Sequence, residues 1–356
     1  MTATAMTEVA SEFVRLGDEH YRAGRYEDAA RQYRLALDAG PGPADRRALT
    51  GYNRAIRHCV PRWHFEMLHD EERAVRYDKA ITQLVSRDSL VLDVGTGSGL
   101  LAMMAARAGA AEVVGCEAQP FVAEVAGHII RAAGYPDVVT VVPKWSTDMR
   151  VPADLRRRAD LLVTETVDCG LLGEGILATI AHAREHLLTP GALIVPGRAR
   201  VIATMIESVS LCRKNSVGEL YGFDLSGFNE LSTLEYFDTR LARHEHRTLC
   251  EPVEVFAFDF YRDGPWPATA DLVVSPSAAG DCHAVAFWFE LELVPGVELS
   301  NSPDNPTTHW KQAVQCLPAA VDVRRGEPLT LRARHDGLRI HFEVDAGDGA
   351  DAGDPP

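Results

Sequence analysis

Apolar residues recur along this chain with two different spacings, and the change between them divides the sequence into regions. They return every three or four positions over residues 8–40 and 63–84, which predicts helices. Over residues 89–195, short strand-like runs alternate with helical segments, a rhythm typical of βαβ units and a parallel sheet. After Pro196 the chain is rich in β patterns separated by Pro and Gly turns, which predicts an antiparallel domain.

The first helical region follows a pattern that resembles one tetratricopeptide repeat of about 34 residues. A helix is followed by a tight turn at Gly24, then by a second helix with the small Ala29 at the crossing and a break at Pro41. Residues 44–60 give no convincing second copy, and about three repeats are needed for a free-standing solenoid. We therefore expect a helical hairpin docked on the next domain; a peptide-binding groove is the alternative.

Together these patterns predict an α/β fold, with a Rossmann-like domain and then an antiparallel, β-barrel-like domain. We expect the hairpin over 1–45, the Rossmann-like domain over 46–196, the β domain over 197–345 and an acidic tail over 346–356. No residue of the tail is apolar and larger than alanine, so we expect it to be disordered.

Composition narrows the classes of function. The 356 residues include 36 Lys and Arg against 51 Asp and Glu, a net charge of −15 that disfavours nucleic acid as a partner and suits a cationic substrate. Seven cysteines without a C-x-x-C pair predict neither disulfides nor a metal site, and indicate a cytoplasmic protein. The most apolar stretch, 100–116, is interrupted by Arg107 and Glu112, so we expect no membrane span.

A glycine-rich loop follows the first predicted strand and opens a helix. It reads Asp93-Val-Gly95-Thr-Gly97-Ser-Gly99, and the next strand ends at Glu117, where a carboxylate suits a ribose diol. No Walker lysine follows, which excludes a P-loop. G-x-G-x-G alone also fits dinucleotide-binding proteins or a turn without a ligand. With the preceding Asp and the strand-end Glu, the motif resembles the signature of class I S-adenosylmethionine (AdoMet) methyltransferases.

Two glutamates, Glu165 and Glu174, bracket a short glycine-containing loop after the fourth predicted strand. Ligands of open α/β sheets bind at that edge of the sheet. Without His or Cys ligands beside them, these carboxylates suggest an acid/base pair or a clamp for a cation. The clamp is favoured because a planar guanidinium matches carboxylates in bidentate fashion; a solvated loop with incidental acids is the alternative.

The order of further motifs over residues 61–345 resembles the protein arginine methyltransferase family. Residues 67–73 read MLHDEER where the family has M-L-x-D-x-x-R, and Thr308-His309-Trp310 matches its T-H-W motif. The resemblance implies that Glu165 and Glu174 hold the target guanidinium. One subfamily of these enzymes also has an N-terminal tetratricopeptide segment.

The same resemblance implies roles for several other residues. Arg73 would pair with the AdoMet carboxylate, Met67 would line the active site, and Trp310 would form a wall of the arginine channel. Asp70 would pair with His309, either to accept the proton released after methyl transfer or only to tie two domains together. Trp310 packed in the core is the alternative to a channel wall.

Three positions depart from the family pattern. Asp168 lies inside the glutamate loop; members with an acid there tend to stop at monomethylation, and we expect it to bind the unmethylated edge of the guanidine. Ser146 stands where many members place a glutamate against the adenine amine. The aromatic cluster before the first helix is missing, and Trp63, His64 and Phe65 are expected to cover the cofactor instead.

The resemblance implies a homodimer, formed by a helical arm inserted in the β domain. The segment 209–241 interrupts the β pattern and carries many apolar side chains, a patch too large to leave exposed. Folding back onto the β domain is the alternative.

The expected function is AdoMet-dependent arginine Nω-methylation. Free L-arginine in bacterial natural-product biosynthesis is favoured as substrate and peptidyl arginine is the alternative. A non-catalytic binding scaffold would have lost site residues, yet Asp93, Glu117, Glu165, Glu174 and His309 are all present.

Overall fold

The structure is a computed structural model that describes residues 3–39, 45–262, 266 and 268–345. The predicted acidic tail, 346–356, lies outside the described residues.

Three helices begin the chain: α1 (Ala3–Arg22), α2 (Tyr26–Asp38) and α3 (Asp45–Cys59). The ring of Tyr33 is buried at their centre, and Gly17 of α1 and Gly51 of α3 press against it, with no room for a Cβ at either glycine. The helical unit continues beyond the predicted hairpin, because Asp45–Cys59 form the third helix α3.

This three-helix unit packs against the sheet domain through α7 (Pro120–Ala132). Phe121 joins the apolar core of the three helices, and the Arg31 guanidinium lies 3.0 Å from the Glu124 carboxylate and 6.0 Å from the Phe121 ring centre. The helices are thus docked on the neighbouring domain, as the sequence predicts.

A parallel sheet forms the second layer, as predicted. Its strands are β1 (Leu90–Val94), β2 (Glu112–Cys116), β3 (Val139–Val142), β4 (Ala159–Thr164) and β5 (Leu188–Val195), in the order β3-β2-β1-β4-β5. The helices that precede or connect them are α4 (Trp63–Leu68), α5 (Glu71–Leu84), α6 (Leu100–Arg107), α7 and α8 (Ile176–His182). All residues of β1 are buried, as expected for the central strand of a covered parallel sheet.

The rest of the described chain is mainly antiparallel. It begins with β6 (Arg198–Glu207) and the four-residue helix α9 (Val209–Cys212). The strands that follow are β7 (Glu219–Leu220), β8 (Phe223–Asp224), β9 (Phe237–Thr239), β10 (Arg247–Thr248), β11 (Val253–Asp259), β12 (Thr269–Val274), β13 (Gly280–Val294), β14 (Val297–Ser300), β15 (Gln312–Val323), β16 (Leu329–His335) and β17 (Ile340–Asp345). They form a seven-stranded sheet around β13, a three-stranded sheet β12-β16-β17 and the β7-β8 hairpin. The two larger sheets share one core, in which the rings of Phe287 and Phe342 lie 5.0 Å apart.

The predicted arm is not mainly helical. Within 209–241 the chain forms α9, the β7-β8 hairpin, a 3₁₀ turn over Ser226–Leu231 and β9. Tyr221 is 98% exposed, and Phe223, Phe228 and Leu231 are each at least 70% exposed. These four side chains therefore project from the chain, whereas Leu211 and Leu241 at the two ends of the arm are buried against the β domain.

Among the residues that the structure describes, no helix is both long enough and apolar enough to cross a membrane.

Candidate active site

A cleft of about 720 Å³ lies where the strand order of the parallel sheet reverses, at the carboxyl ends of β1 and β4. The antiparallel domain supplies its other wall through residues 309–311. Most residues singled out by the sequence analysis line this cleft, namely Met67, Arg73, Gly95, Gly97, Glu117, Ser146, Glu165, Asp168, Glu174, His309 and Trp310. The tertiary structure thus brings together motifs from both domains.

The glycine loop needs its glycines for two reasons. Gly95, Gly97 and Gly99 have φ of 74°, 52° and 84°, a left-handed conformation that other residues rarely adopt. A Cβ at Gly95 would lie 2.7 Å from the methyl group of Thr166, so the loop also passes close to the segment that follows β4. Gly97 N–H donates to Glu117 at 3.0 Å, which places the predicted ribose acceptor directly against the loop.

Asp93 was expected to bind the cofactor, but it supports the loop from behind. Its side chain is buried, does not line the cleft and accepts a hydrogen bond from the Thr96 hydroxyl. Burial raises the pKa of the Asp93 carboxyl to about 6, although the Thr96 hydrogen bond opposes the shift.

Arg73 has a partner that the sequence analysis did not predict. Its Nε donates to Glu165 Oε2 at 2.8 Å, Nη2 donates to the same oxygen, and both side chains are nearly buried. Burial disfavours the charge of Arg73, yet the Glu165 carboxylate outweighs it and raises the guanidinium pKa. Arg73 Nη1 is buried without a partner among the described residues, so one donor is left for a ligand.

Glu174 differs from Glu165 because no cation neutralises it. It makes no ion pair with a described residue. Glu174 is exposed and lines the cleft, while protein atoms surround the other sides of its carboxylate. Desolvation in these surroundings, together with the negative charges of Glu165 and Asp168, raises the pKa of Glu174 to about 7. The loop therefore presents one neutralised carboxylate and one that favours a bound cation.

Asp168 holds this loop together. Its Oδ1 accepts from Gly170 N–H at 3.2 Å and from Gly173 N–H at 2.8 Å, while Oδ2 accepts from the Tyr236 hydroxyl at 2.7 Å. Leu171, inside the loop, has φ of 81°, a conformation that is strained for leucine and is held by this framework. The contact of Asp168 with the guanidine edge stays a prediction: Asp168 lines the cleft, where its Oδ1 accepts two N–H donors and its Oδ2 accepts one hydroxyl.

The predicted pairing of Asp70 with His309 is present. Asp70 Oδ2 accepts from His309 Nδ1 at 2.9 Å and from its backbone N–H at 2.7 Å, and Oδ1 accepts from Arg73 N–H at the start of α5. Burial alone would raise the pKa of Asp70, but the hydrogen bonds from His309 and Arg73 lower it to about 2. Because Asp70 precedes the sheet and His309 follows it, the contact joins the two domains.

Trp310 lines the cleft and is also packed in the hydrophobic core. It is 6% exposed, its Nε1 donates to the Val167 carbonyl at 3.2 Å, and its ring meets Phe289 edge to face. Of the three aromatic residues expected to cover the cofactor, Trp63 and His64 line the cleft with stacked rings 3.8 Å apart. Phe65 does not line it and is 61% exposed.

Sequence reasoning did not single out Tyr236, Asp238 or Asn301 as residues of this site. Tyr236 supports the loop, Asp238 lines the cleft and Asn301 hydrogen-bonds the loop carbonyl of Cys169. None of the three lies in a local motif, so only the topology brings them to the loop.

Comparison with known proteins places this cleft in context. Residues 197–346 match a family model described as "Arginine methyltransferase oligomerization subdomain", and residues 79–210 match "Ribosomal protein L11 methyltransferase". The chain is 44% identical over 288 residues to an "Arginine N(omega)-methyltransferase" from Streptomyces achromogenes subsp. streptozoticus, covering 81% of this chain and 80% of that protein. It is 32% identical to "Protein arginine N-methyltransferase 7" of Drosophila ananassae, covering 78% of this chain but only 47% of that protein.

Solved structures show the same architecture. The structure titled "Trypanosoma brucei PRMT1 enzyme-prozyme heterotetrameric complex with AdoHcy" superimposes with a TM-score of 0.71 at 27% identity, covering 83% of this chain and 96% of that chain. The Arabidopsis thaliana protein arginine methyltransferase 10 shares the fold with a TM-score of 0.65 at 20% identity, covering 81% of this chain and 93% of that chain.

Proposed function

The chain belongs to the protein arginine methyltransferase family, and from that premise we propose that it transfers a methyl group from AdoMet to a terminal guanidine nitrogen of arginine. The observation that carries the proposal is the glutamate loop. Glu165 is neutralised by Arg73, Glu174 makes no ion pair with a described residue, and both line one cleft with the glycine loop.

The residues of the cleft fit AdoMet. Gly95 and Gly97 have no side chains to keep a ligand from the loop, and the Glu117 carboxylate lies beside them as an acceptor for ribose hydroxyls. The unpartnered Nη1 of Arg73 would hold the AdoMet carboxylate, and Ser146 lines the same cleft. AdoMet supplies a methyl group on a positively charged sulfur.

The chemistry expected of the chain's own residues follows from the guanidinium. Its pKa lies above about 12, so it enters the cleft charged, and its delocalised charge makes each nitrogen a weak nucleophile. Glu165 and Glu174 would hold one side of the plane, draw positive charge toward it and orient the other nitrogen for transfer. His309, held by Asp70, would accept the proton that leaves after methylation.

We propose that the substrate is free L-arginine, methylated once in natural-product biosynthesis. The similarity to the Streptomyces "Arginine N(omega)-methyltransferase" supports the free amino acid; the similarity to protein arginine methyltransferases keeps peptidyl arginine as the alternative. The fixed loop supports a single transfer, since the hydrogen bonds that Asp168 accepts from Gly170, Gly173 and Tyr236 leave the loop little room to accommodate an added methyl group.

Mass spectrometry of reactions with free L-arginine and with a Gly-Arg-rich peptide tests this proposal. We expect Nω-monomethyl-L-arginine, formed faster than any methylated peptide and at the same rate as S-adenosylhomocysteine. Faster methylation of the peptide would overturn the substrate assignment, and dimethylarginine from the unmodified enzyme would overturn the product assignment. No methylation of either compound would contradict the activity itself.

We propose a homodimer built on the arm. The exposed Tyr221, Phe223, Phe228 and Leu231 would be covered by the sheet domain of a second copy. Light scattering at micromolar concentration should give twice the chain mass of 38.9 kDa. Phe223→Ser with Phe228→Ser should shift the mass toward one chain without unfolding it, whereas Val273→Ser, which removes a 78% exposed valine from β12, should not. A single-chain mass for the unmodified protein would reject the dimer.

We further propose that α1–α3 are a tetratricopeptide-like unit, supported by the helix pair around Gly24 and the small residues at the Tyr33 crossing. The division of the catalytic part near residue 197 stays a proposal, supported by the end of β5 at Val195 and the start of β6 at Arg198.

A further inference from the structure

Two opposite charges lie side by side at the rim of the cleft. Lys311 Nζ is 2.5 Å from Asp238 Oδ2, and both residues line the cleft. Their side chains are 39% and 54% exposed, so the ion pair is open to water. An exposed pair of this kind contributes little net stability, and its members can exchange partners at small cost.

The backbone of this pair is fixed relative to the glutamate loop. Asn301 is fully buried, and its Nδ2 donates to the Lys311 carbonyl at 2.7 Å and to the Cys169 carbonyl of the loop at 3.0 Å. Trp310, the residue before Lys311, donates to the Val167 carbonyl of the same loop. Lys311 therefore keeps a set position beside the carboxylates that are proposed to hold the guanidinium, and the pairing of Asp238 on β9 with Ala313 on β15 fixes the backbone of its partner.

The other cations that line the cleft are held more firmly. Arg73 is nearly buried against Glu165. Lys144 lies 2.6 Å from Asp154, whose side chain is 9% exposed and also accepts from Arg150 N–H. Lys311 is the lining cation whose described carboxylate partner is itself exposed, so it is the one most available to a ligand anion.

From this geometry we propose that Lys311 and Asp238 bind the two charged groups of a free amino acid, Lys311 its α-carboxylate and Asp238 its α-ammonium. The inference rests on the proposed arginine methylation, in which the guanidinium occupies the Glu165 and Glu174 end of the cleft. The ion pair between the two side chains opens, and each charge gains a substrate partner of opposite sign. Peptidyl arginine carries neither charge, so this pair selects the free amino acid.

Substrate analogues test each half of the pair. Agmatine lacks the carboxylate and Nα-acetyl-L-arginine lacks the ammonium charge. We expect Lys311→Met to raise the KM for L-arginine by about 10- to 100-fold, with kcat within about threefold, and to leave the KM for agmatine unchanged. Asp238→Asn should raise the KM for L-arginine and leave that for Nα-acetyl-L-arginine unchanged.

Two controls separate substrate binding from a structural role. Lys311→Asp combined with Asp238→Lys restores an ion pair in reverse, so it would rescue a structural role but should not restore the KM for L-arginine. Arg332→Met removes a cation from an exposed pair with Asp271, at 2.9 Å on β16 and outside the cleft, and should leave both kinetic constants unchanged.

The outcomes distinguish this inference from the function on which it rests. If the wild-type enzyme methylates L-arginine and agmatine with equal KM, or if Lys311→Met or the reversed pair keeps the wild-type KM, the assignment of the pair is wrong while the methyltransferase activity stands. If the wild-type enzyme methylates no guanidine compound, the proposed function fails and the assignment fails with it.

Discussion

Replacing Glu165 or Glu174 by Gln is expected to lower kcat for arginine by about 100- to 1,000-fold. Each change keeps the shape of the side chain and removes a charge that polarises the guanidinium. Turnover of each variant is measured by S-adenosylhomocysteine release, and AdoMet binding by calorimetry should persist. Near-normal turnover in both variants would contradict the clamp.

The structure predicts that the two variants differ in stability. Glu165→Gln leaves the nearly buried Arg73 without its counter-charge, so we expect a lower melting temperature. Glu174 has no described cation to lose, so Glu174→Gln should melt at or above the wild-type temperature. This makes Glu174→Gln the cleaner test, because its loss of activity cannot be attributed to unfolding.

The raised pKa of Glu174 adds a pH signature to the same experiment. Below pH of about 7 the free enzyme carries a protonated, neutral Glu174 that binds a guanidinium poorly. The KM for arginine should therefore fall as pH rises through about 7, and Glu174→Gln should lose this dependence.

Asp70→Ala is expected to destabilise the fold by about 3–5 kcal/mol, as the loss of one partner of a buried pair does. The Asp70 side chain is 1% exposed, and its carboxylate accepts hydrogen bonds from Arg73 N–H, Thr308 Oγ1 and both His309 donors. These donors would stay buried without an acceptor, and α5 would lose its N-cap. Urea denaturation measures the change in the free energy of unfolding.

The sign of the pH dependence follows from the lowered pKa of Asp70. Its folded-state pKa of about 2 lies below the ordinary aspartate value of 3.8, so the ionised carboxylate stabilises the fold above pH of about 4. That contribution is lost as pH falls from about 4 through about 2, and Asp70→Ala should lack this part of the acid transition. A variant within about 1 kcal/mol of the wild type at pH 7 would refute the role of Asp70 as a link between domains.

The helical unit shows why sequence patterns miss some elements. The buried face of α3 consists of the small residues Ala48, Gly51, Ala55 and Cys59, while Tyr52 and Ile56 are only partly buried against the same apolar cluster. Small residues are required there because the Tyr33 ring fills the space between the helices. The small residues that face Tyr33 therefore make α3 depart from the repeat pattern of α1 and α2, although α3 packs in the same apolar cluster.

The arm shows the converse. Its apolar residues were visible in the sequence, but they do not mark a helix or a buried face. Leu220 and Phe223 pair in a two-residue-strand hairpin, and the side chains remain exposed in the single chain. An apolar composition indicates that a segment packs against another surface. It does not determine the local backbone conformation of that segment.

The parallel sheet, the glycine loop with Glu117 beside it and the two glutamates of one loop can be predicted from the amino-acid sequence, because neighbours in the chain and periodic burial specify these features. Which charges meet depends on the folded arrangement of distant segments. Arg73 and Glu165 are 92 residues apart, Tyr236 and Asp168 are 68 apart, and Lys311 and Asp238 are 73 apart. Local patterns indicate which side chains are buried. Strand register and the packing of one domain on the other determine which of these charged side chains become partners.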